Sequence, residues 1–377
     1  MLLSASILSY YAKNAERFLA TEVLEVDDGT ARVESGPLGI LFGVQPWNFP
    51  YYQLARFVAP NLMAGNVVMV KHSGSVPQCA LAFEDLWRKA GAPSGLYTNL
   101  FLSYDQVNEV IDDQRVKGVA LTGSSGAGKS VAARAGQNLK KSTMELGGSD
   151  PFIVLDDADV DKTLKWAMAA KMNNTGQSCV AGKRFIVDNS LADRFLTQFS
   201  DAMSGLEVGD PMDDATTLGP LSSEAALVAL EEQVNTAVEA GAAVITGGKR
   251  LDRKGWFFAP TILTDIAPDN PAHRQEFFGP VALFFGAQDD DDAVRLANDS
   301  DFGLGCSIFT QDPQRGERLA TRIESGMVFI NHPTGTVADL PFGGIKMSGY
   351  GRELSAAGIH EFVNKKLIRV RPIDAPA

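Results

Sequence analysis

A chain of 377 residues has room for two or three domains at roughly 150 residues each. Its hydrophobic content of 45% and mean hydropathy of -0.04 supply a large buried core, while no run of about 18 apolar residues marks a membrane-spanning helix. The net charge of -12 argues against a nucleic-acid partner, and three widely spaced cysteines make no disulfide framework.

Residues 5–20 place Leu8, Tyr11, Ala15, Phe18 and Leu19 at helical spacing, which predicts an amphipathic helix. Residues 22–35 alternate weakly, through Val23, Val26, Ala31 and Val33, around Asp27-Asp28-Gly29, a hairpin signal. Beyond Gly36, strands and helices take turns. Strands are predicted at 38–44, 67–70, 95–102, 116–121 and 143–146, with helices at 51–64, 76–90, 107–112 and 128–139 between them. After Gly148 come a strand at 152–155, a helix at 161–172, a strand at 184–187 and a helix at 191–206. A long helix at 224–240, a strand at 244–247 and shorter elements follow, and 366–370 reads as a final strand. Such alternation implies an α/β fold with parallel sheets covered by helices on both faces. The break at Gly147-Gly148 is the natural domain boundary. Met1-Leu2-Leu3-Ser4-Ala5 lacks a basic start, so no secretory leader and a cytoplasmic, reducing setting are expected.

Residues 123–130, Gly123-Ser124-Ser125-Gly126-Ala127-Gly128-Lys129-Ser130, match the GxxxxGK(S/T) pattern of a phosphate-binding loop. They follow the strand Val119-Ala120-Leu121 and open a helix, and Phe152-Ile153-Val154-Leu155-Asp156 mimics the acid-ended second strand of an NTPase. That reading leaves Asn48, Glu145, Cys179, Glu276 and the 341–344 string without a purpose. The plainer alternative is a strand-to-helix turn that needs small residues.

Cys179 closes the string Asn174-Thr175-Gly176-Gln177-Ser178-Cys179, and Glu145 opens Glu145-Leu146-Gly147-Gly148. A thiol and a carboxylate, each beside glycine-rich backbone, point to covalent catalysis with a positioned base. Upstream stands Pro46-Trp47-Asn48-Phe49-Pro50; downstream stand Glu276-Phe277-Phe278-Gly279-Pro280 and Pro341-Phe342-Gly343-Gly344. In this order, from about residue 37 to 362, these strings resemble the aldehyde dehydrogenase superfamily. Asp150-Pro151-Phe152-Ile153-Val154, Lys71-His72 and Gly349-Tyr350-Gly351-Arg352-Glu353-Leu354 are most similar to its bacterial NAD(P)-dependent succinate-semialdehyde dehydrogenases.

The resemblance implies a Rossmann-like dinucleotide-binding domain over 1–147, including an oligomerisation hairpin at about 22–35. It further implies an α/β catalytic domain over 148–355 and an oligomerisation strand within 356–377. By the same likeness the hairpin and strand join subunits by sheet extension into a homodimer or homotetramer. Relatives carry further helices and strands ahead of the segment that begins here at Met1, so the chain is short at its N-terminal end against them.

Within that likeness Cys179 is the nucleophile, Asn48 and the Cys179 amide stabilise the oxyanion, and Glu145 is the base that hydrolyses the thioester. The plainer alternatives are a buried structural cysteine, a helix-capping asparagine and an ion-paired glutamate. Cys79 and Cys306 lack such surroundings and are expected to pack. Trp47, Lys71, Gly123, Ser124, Glu276 and Phe278 fall to the cofactor, against a solvated lysine, a capping serine and a surface glutamate. Where many NAD-preferring relatives carry a glutamate three residues after the lysine, this chain has Gly74, which leaves room for a 2′-phosphate on NADP beside NAD. Arg56, two helical turns past Asn48, would bind a distal substrate carboxylate, against a surface arginine on an amphipathic helix. A second arginine found in some relatives is replaced by Asn173, so medium-chain or aromatic aldehydes remain alternative substrates. The loop over 331–340 would form the substrate mouth. His72, His273, His332 and His360 are expected on the surface or in loops, with no metal. Three functions follow: aldehyde oxidation, nucleotide hydrolysis, or an inactive relative that keeps the fold.

Overall fold

The computed structural model describes residues 1–374 and sorts the strand–helix alternation into two main sheets. Two compact units hold them. The first comprises Met1–Leu146, Thr336–Gly343 and the chain from Gly349 onward; the second comprises Gly147–Gly335 and Gly344–Ser348.

In the first unit the chain enters its six-stranded sheet at Ile40–Gln45 and steps sideways to Val67–His72 and Tyr97–Asn99. It then returns to the other side of the first strand with Val116–Thr122 and Lys141–Glu145. These five strands are parallel; Gly349–Tyr350 adds an antiparallel edge beside Glu145. This is the doubly wound order, and its reversal lies between Ile40–Gln45 and Val116–Thr122, where such sheets take dinucleotides at the strands' carboxyl ends. Alternate side chains feed opposite faces. Leu41, Val68, Val70 and Ala120 meet Leu54, Phe57 and Val58 of the helix Pro50–Met63. Phe42, Val119, Leu121 and Met144 meet Val131 and Ala135 of the helix Ser125–Gln137.

The expected N-terminal helix runs Leu2–Phe18 and buries Ile7, Tyr11 and Ala15, with the Tyr11 hydroxyl donating to the Ser355 carbonyl at 2.9 Å. The hairpin and tail strand form one three-stranded antiparallel sheet, with Thr30–Pro37 between Glu22–Leu24 and Val363–Val370. Asp28 in the hairpin turn takes both Arg369 and Arg371. Two expectations change. The strand at 95–102 shrinks to Tyr97–Asn99, because Ser103 and Gln106 form a capping box that starts a helix at Tyr104. The helix expected at 128–139 starts at Ser125, capped by Ser124, so Gly126, Gly128 and Lys129 lie inside it. No loop is left there to wrap a phosphate, which removes the basis of the NTPase reading.

In the second unit seven strands lie in the order Ala243–Thr246, Thr261–Thr264, Val281–Ala287, Gly182–Asp188, Asp150–Val154, Ser307–Phe309, Phe329–Ile330. All neighbours are parallel except the Ala243–Thr246 edge. Ile153, Ile186, Leu263 and Leu283 face Leu227, Leu230 and Val234 of the helix Glu224–Glu239. Phe152, Val154, Phe185 and Val187 face Phe195, Phe199 and Met203 of the helix Asn189–Ser204. Coverage on both faces is why these strands read as continuous apolar runs. Asp150, Cys179 and Glu276 gather at the amino ends of three adjacent strands, Asp150–Val154, Gly182–Asp188 and Val281–Ala287.

The histidine expectation fails in part. His72 and His273 are 3% and 2% exposed, and burial lowers the imidazole of each. His72 sits at a strand end where its Nδ1 accepts from the Ser73 amide at 3.0 Å. His332 is exposed and His360 closes the short helix Ser355–His360.

Candidate active site

Glu145 ends the strand Lys141–Glu145 with its side chain buried in the first unit. Burial pushes its carboxyl well above the usual range; Arg56 and Arg352 oppose this, while Glu353 and Glu361 reinforce it. Neither carboxyl oxygen has a hydrogen-bond partner among the described residues, so the structural ion pair considered from sequence is not what holds it. A buried carboxyl whose pKa is raised by burial is a stronger proton acceptor than an ordinary glutamate. Gly343, in the left-handed region at φ +149, lies against it.

The helix after strand Ile40–Gln45 has Phe49 at its N-cap and no side-chain capping bond, so the capping role considered for Asn48 is not realised. Asn48 stays half-buried in the turn at the strand's carboxyl end. Arg56, on the same helix, is 1% exposed, which excludes the surface alternative. Its Nε pairs with Glu353, Nη1 donates to the Tyr52 hydroxyl at 2.8 Å and Nη2 to Thr122 Oγ1 at 3.2 Å. The rings of Tyr52 and Phe342 lie 5.0 and 4.5 Å from the guanidinium. Against the expectation of a cation waiting for substrate, Arg56 already holds a protein carboxylate, because a buried charge is costly unless paired. Tyr52 in turn bonds Thr336 Oγ1 at 3.0 Å.

At the sheet's switch point stand Trp47, after Ile40–Gln45, and Gly123 and Ser124, after Val116–Thr122. Ser124 Oγ accepts from the Ala127 amide at 3.3 Å, so the capping alternative is realised and the helix N-terminus opens there. Lys71 is half-buried near the end of Val67–His72, and burial lowers its amine. Its Nζ lies 5.6 Å from the ring centroid of Tyr104, an 84% exposed side chain that sequence reasoning passed over. A β-carbon at Gly74 would meet nothing within 4 Å. A lysine, open space without a carboxylate, and a helix N-terminus at the switch point fit a phosphorylated dinucleotide.

In the second unit Cys179 is half-buried and takes part in no disulfide. It follows the helix Val160–Met172 and a turn, Asn173–Gly176, in which Asn174, Thr175 and Gly176 hold φ of 51°, 59° and 75°. A β-branched residue is strained there. Gln177 locks the turn: Nε2 donates to the Asn174 carbonyl at 3.2 Å and Oε1 accepts from the Ser222 amide at 2.9 Å. A β-carbon at Gly176 would collide with the Gly279 carbonyl oxygen, a physical link between two of the sequence strings.

Glu276 is no surface residue. It accepts from the Gly148 amide at 3.0 Å and pairs with Lys183 at 3.2 Å, and the ring of Phe278 lies 5.8 Å from Lys183 Nζ. Lys183 itself donates to the carbonyls of Ser178 and Cys179. Asp150 accepts from the Gly305 amide at 3.0 Å, and burial pushes its carboxyl up to about 7 against the pull of Lys183. Lys171 is fully buried, and burial, then Lys183, lowers its amine well below the usual range. Lys171, Lys183 and Asp150 escaped sequence reasoning; the available signal was charge set inside apolar runs, as in Lys183-Arg184-Phe185-Ile186-Val187. Burial pushes the Cys306 thiol far up and makes it a packing residue. Among the described residues no group of three or more His, Cys, Asp or Glu is placed to hold a metal, and no helix is long and apolar enough to cross a membrane.

Known proteins match this arrangement. The aldehyde dehydrogenase family matches residues 1–368. A succinate-semialdehyde dehydrogenase (NADP(+)) of Deinococcus radiodurans is 51% identical over 370 residues, 98% of this chain and 78% of that protein. A probable succinate-semialdehyde dehydrogenase (NADP(+)) of Synechocystis sp. is 47% identical, covering 97% of this chain and 80% of its own. The crystal structure of succinic semialdehyde dehydrogenase from Streptococcus pyogenes in complex with NADP+ has a TM-score of 0.96 at 46% identity, over 98% of this chain and 81% of that one. With residues 1–368 matched by the family, the chain belongs to the aldehyde dehydrogenase family.

Proposed function

We propose that this protein oxidises an aldehyde to the carboxylic acid with NADP as the preferred hydride acceptor, and that succinate semialdehyde is its substrate. The observation that carries the reading is the buried Glu145 carboxyl, which has no hydrogen-bond partner among the described residues and suits a base. Cys179 Sγ adds to the carbonyl carbon, and the oxyanion takes hydrogen bonds from the Asn48 side-chain amide and the Cys179 backbone N–H. A dinucleotide held by Lys71, Ser124 and Glu276 would supply the hydride acceptor, and Cys179 would keep the resulting acyl group as a thioester. Glu145 then takes a proton from water; the hydroxide adds, the C–S bond breaks, and the thiolate leaves with the acid released.

Lys71, with Gly74 in place of a carboxylate, favours the 2′-phosphate, as do relatives named for NADP(+). Trp47, Gly123 and Ser124 border the pyrophosphate, and Glu276 with Phe278 takes the nicotinamide ribose. Of these residues Trp47, Lys71, Gly123 and Ser124 belong to the first unit, and Glu276, Phe278 and the nucleophile Cys179 to the second. Arg56 accounts for a distal carboxylate by trading part of its hold on Glu353 for substrate. The three-stranded sheet, with Val23, Leu367 and Val370 exposed, joins subunits into a dimer or tetramer, and three cysteines outside any disulfide suit a reducing cytoplasm. Reduction of NADP and NAD, followed by absorbance with succinate semialdehyde, butanal and benzaldehyde beside Cys179→Ala, tests the reading. Turnover lost in the variant supports it; turnover retained there sinks it.

A further inference from the structure

Lys183 lies four residues past the nucleophile with its side chain 0% exposed. Its Nζ donates to the carbonyl oxygens of Ser178 at 2.7 Å and Cys179 at 2.9 Å, and meets Glu276 Oε1 at 3.2 Å. Three donors therefore find three oxygens, the complete inventory of an ammonium. Such a group is unfavourable to bury unless every proton is taken, and an apolar side chain would fill the space at less cost. The other charged groups around it are Asp150 and Lys171, and Lys171 has no hydrogen-bond partner among the described residues. The positive charge thus rests where the acceptors are. The oxidation as outlined assigns Lys183 no part.

We propose that Lys183 is a positioning residue for the nucleophile, fixing the Ser178–Cys179 backbone and setting a cation, balanced by Glu276, beside the reacting sulfur. The inference rests on Cys179 being the nucleophile. Two carbonyl anchors on consecutive residues restrain rotation of the peptide that carries the thiol, and of the Cys179 N–H assigned to the oxyanion. A fixed positive charge on that peptide favours the anionic sulfur over the neutral thiol. Gly148 supports the arrangement from the other side, because its amide holds the same Glu276 oxygen. The carboxylate assigned to the nicotinamide ribose and the backbone of the nucleophile thereby share one ammonium.

The test is iodoacetamide alkylation of the full chain without aldehyde or dinucleotide, with labelling at each cysteine followed by mass spectrometry. In the wild type Cys179 labels about tenfold faster than Cys79, and Lys183→Met slows Cys179 about tenfold. The same variant lowers kcat for aldehyde oxidation by about tenfold while KM stays within about threefold, a split that general loosening of the fold does not produce. Glu276→Gln removes the opposing charge but leaves the carbonyl anchors, and speeds alkylation by about twofold. Should Lys183→Met fail to fold, Glu276→Gln decides alone. The assignment falls if Lys183→Met labels within about twofold of the wild type, or if Glu276→Gln slows labelling about tenfold. Equal labelling of Cys179 and Cys79 in the wild type sinks the nucleophile reading and Lys183 with it; slow oxidation with fast, Lys183-dependent labelling sinks the oxidation reading alone.

Discussion

Gly343 lies against Glu145: a β-carbon built on it would come within 2.7 Å of Glu145 Oε1. The proline-phenylalanine-glycine-glycine string thus has a steric purpose, to let backbone back the buried carboxyl. Gly343→Ala is expected to displace that carboxyl and cut kcat by about tenfold or more, with a stability loss of about 1–3 kcal/mol from the left-handed backbone. Steady-state rates and denaturant unfolding check both. Unchanged kcat would show that the carboxyl's position does not matter.

Glu145→Gln separates the two halves of the reaction. Gln keeps the shape but accepts no proton, so the thioester should form and then persist. Mixing the variant with aldehyde and NADP should give a burst of about one reduced dinucleotide per Cys179, followed by turnover slowed by about a hundredfold. In the wild type the base works only when ionised. Because its carboxyl is raised by burial, kcat should fall with decreasing pH at a midpoint clearly above the ordinary glutamate value of about 4.3. A midpoint at that ordinary value, or no burst, would assign the base elsewhere.

Asp150 should leave its mark on stability rather than rate. Its carboxyl is raised from 3.8 to about 7 in the folded protein, so between those values the folded state binds more protons than the unfolded. The stability it contributes is therefore present at low pH and lost as pH rises through that window. Asp150→Asn removes the titration. Between about pH 5 and about pH 8 the wild type should lose on the order of 2 kcal/mol relative to the variant, read from urea unfolding at each pH. A gap that widens in the opposite direction would mean the carboxyl is ionised when folded.

How much of this was legible follows from what each residue needs. The two sheets were readable because strands covered on both faces, such as Phe152-Ile153-Val154, announce themselves as apolar runs between helical periods. Cys179, Glu145 and the glycines beside them were readable because their backbone demands leave few substitutes; Gly176 and Gly279 constrain each other directly. The start of the helix at Ser125 was not, since Gly126 and Gly128 weaken helix propensity locally, while capping by Ser124 and the fit of Gly128 against Leu146 decide the outcome. Lys171, Lys183 and Asp150 were invisible because a charged residue ordinarily reads as exposed. Their satisfaction comes from distant chain; the amide that Asp150 accepts belongs to Gly305, 155 residues away.

The proposed substrate role of Arg56 has a readout of its own. Its guanidinium holds Glu353 while still flanked by Tyr52 and Phe342, so removing it has two separable effects. Arg56→Met strands Glu353, whose carboxyl burial already raises, and should destabilise by about 3–5 kcal/mol. Arg56→Met combined with Glu353→Gln should recover part of that loss, because no unpaired buried charge remains. Recognition is a different readout. If Arg56 binds the distal carboxylate, Arg56→Met lowers kcat/KM for succinate semialdehyde about a hundredfold more than for butanal, the weight of a charged pair. Loss of stability common to both substrates cancels in that ratio. An equal fall for the two aldehydes would confine Arg56 to holding Glu353, and the carboxylate preference would have to come from other residues or be absent.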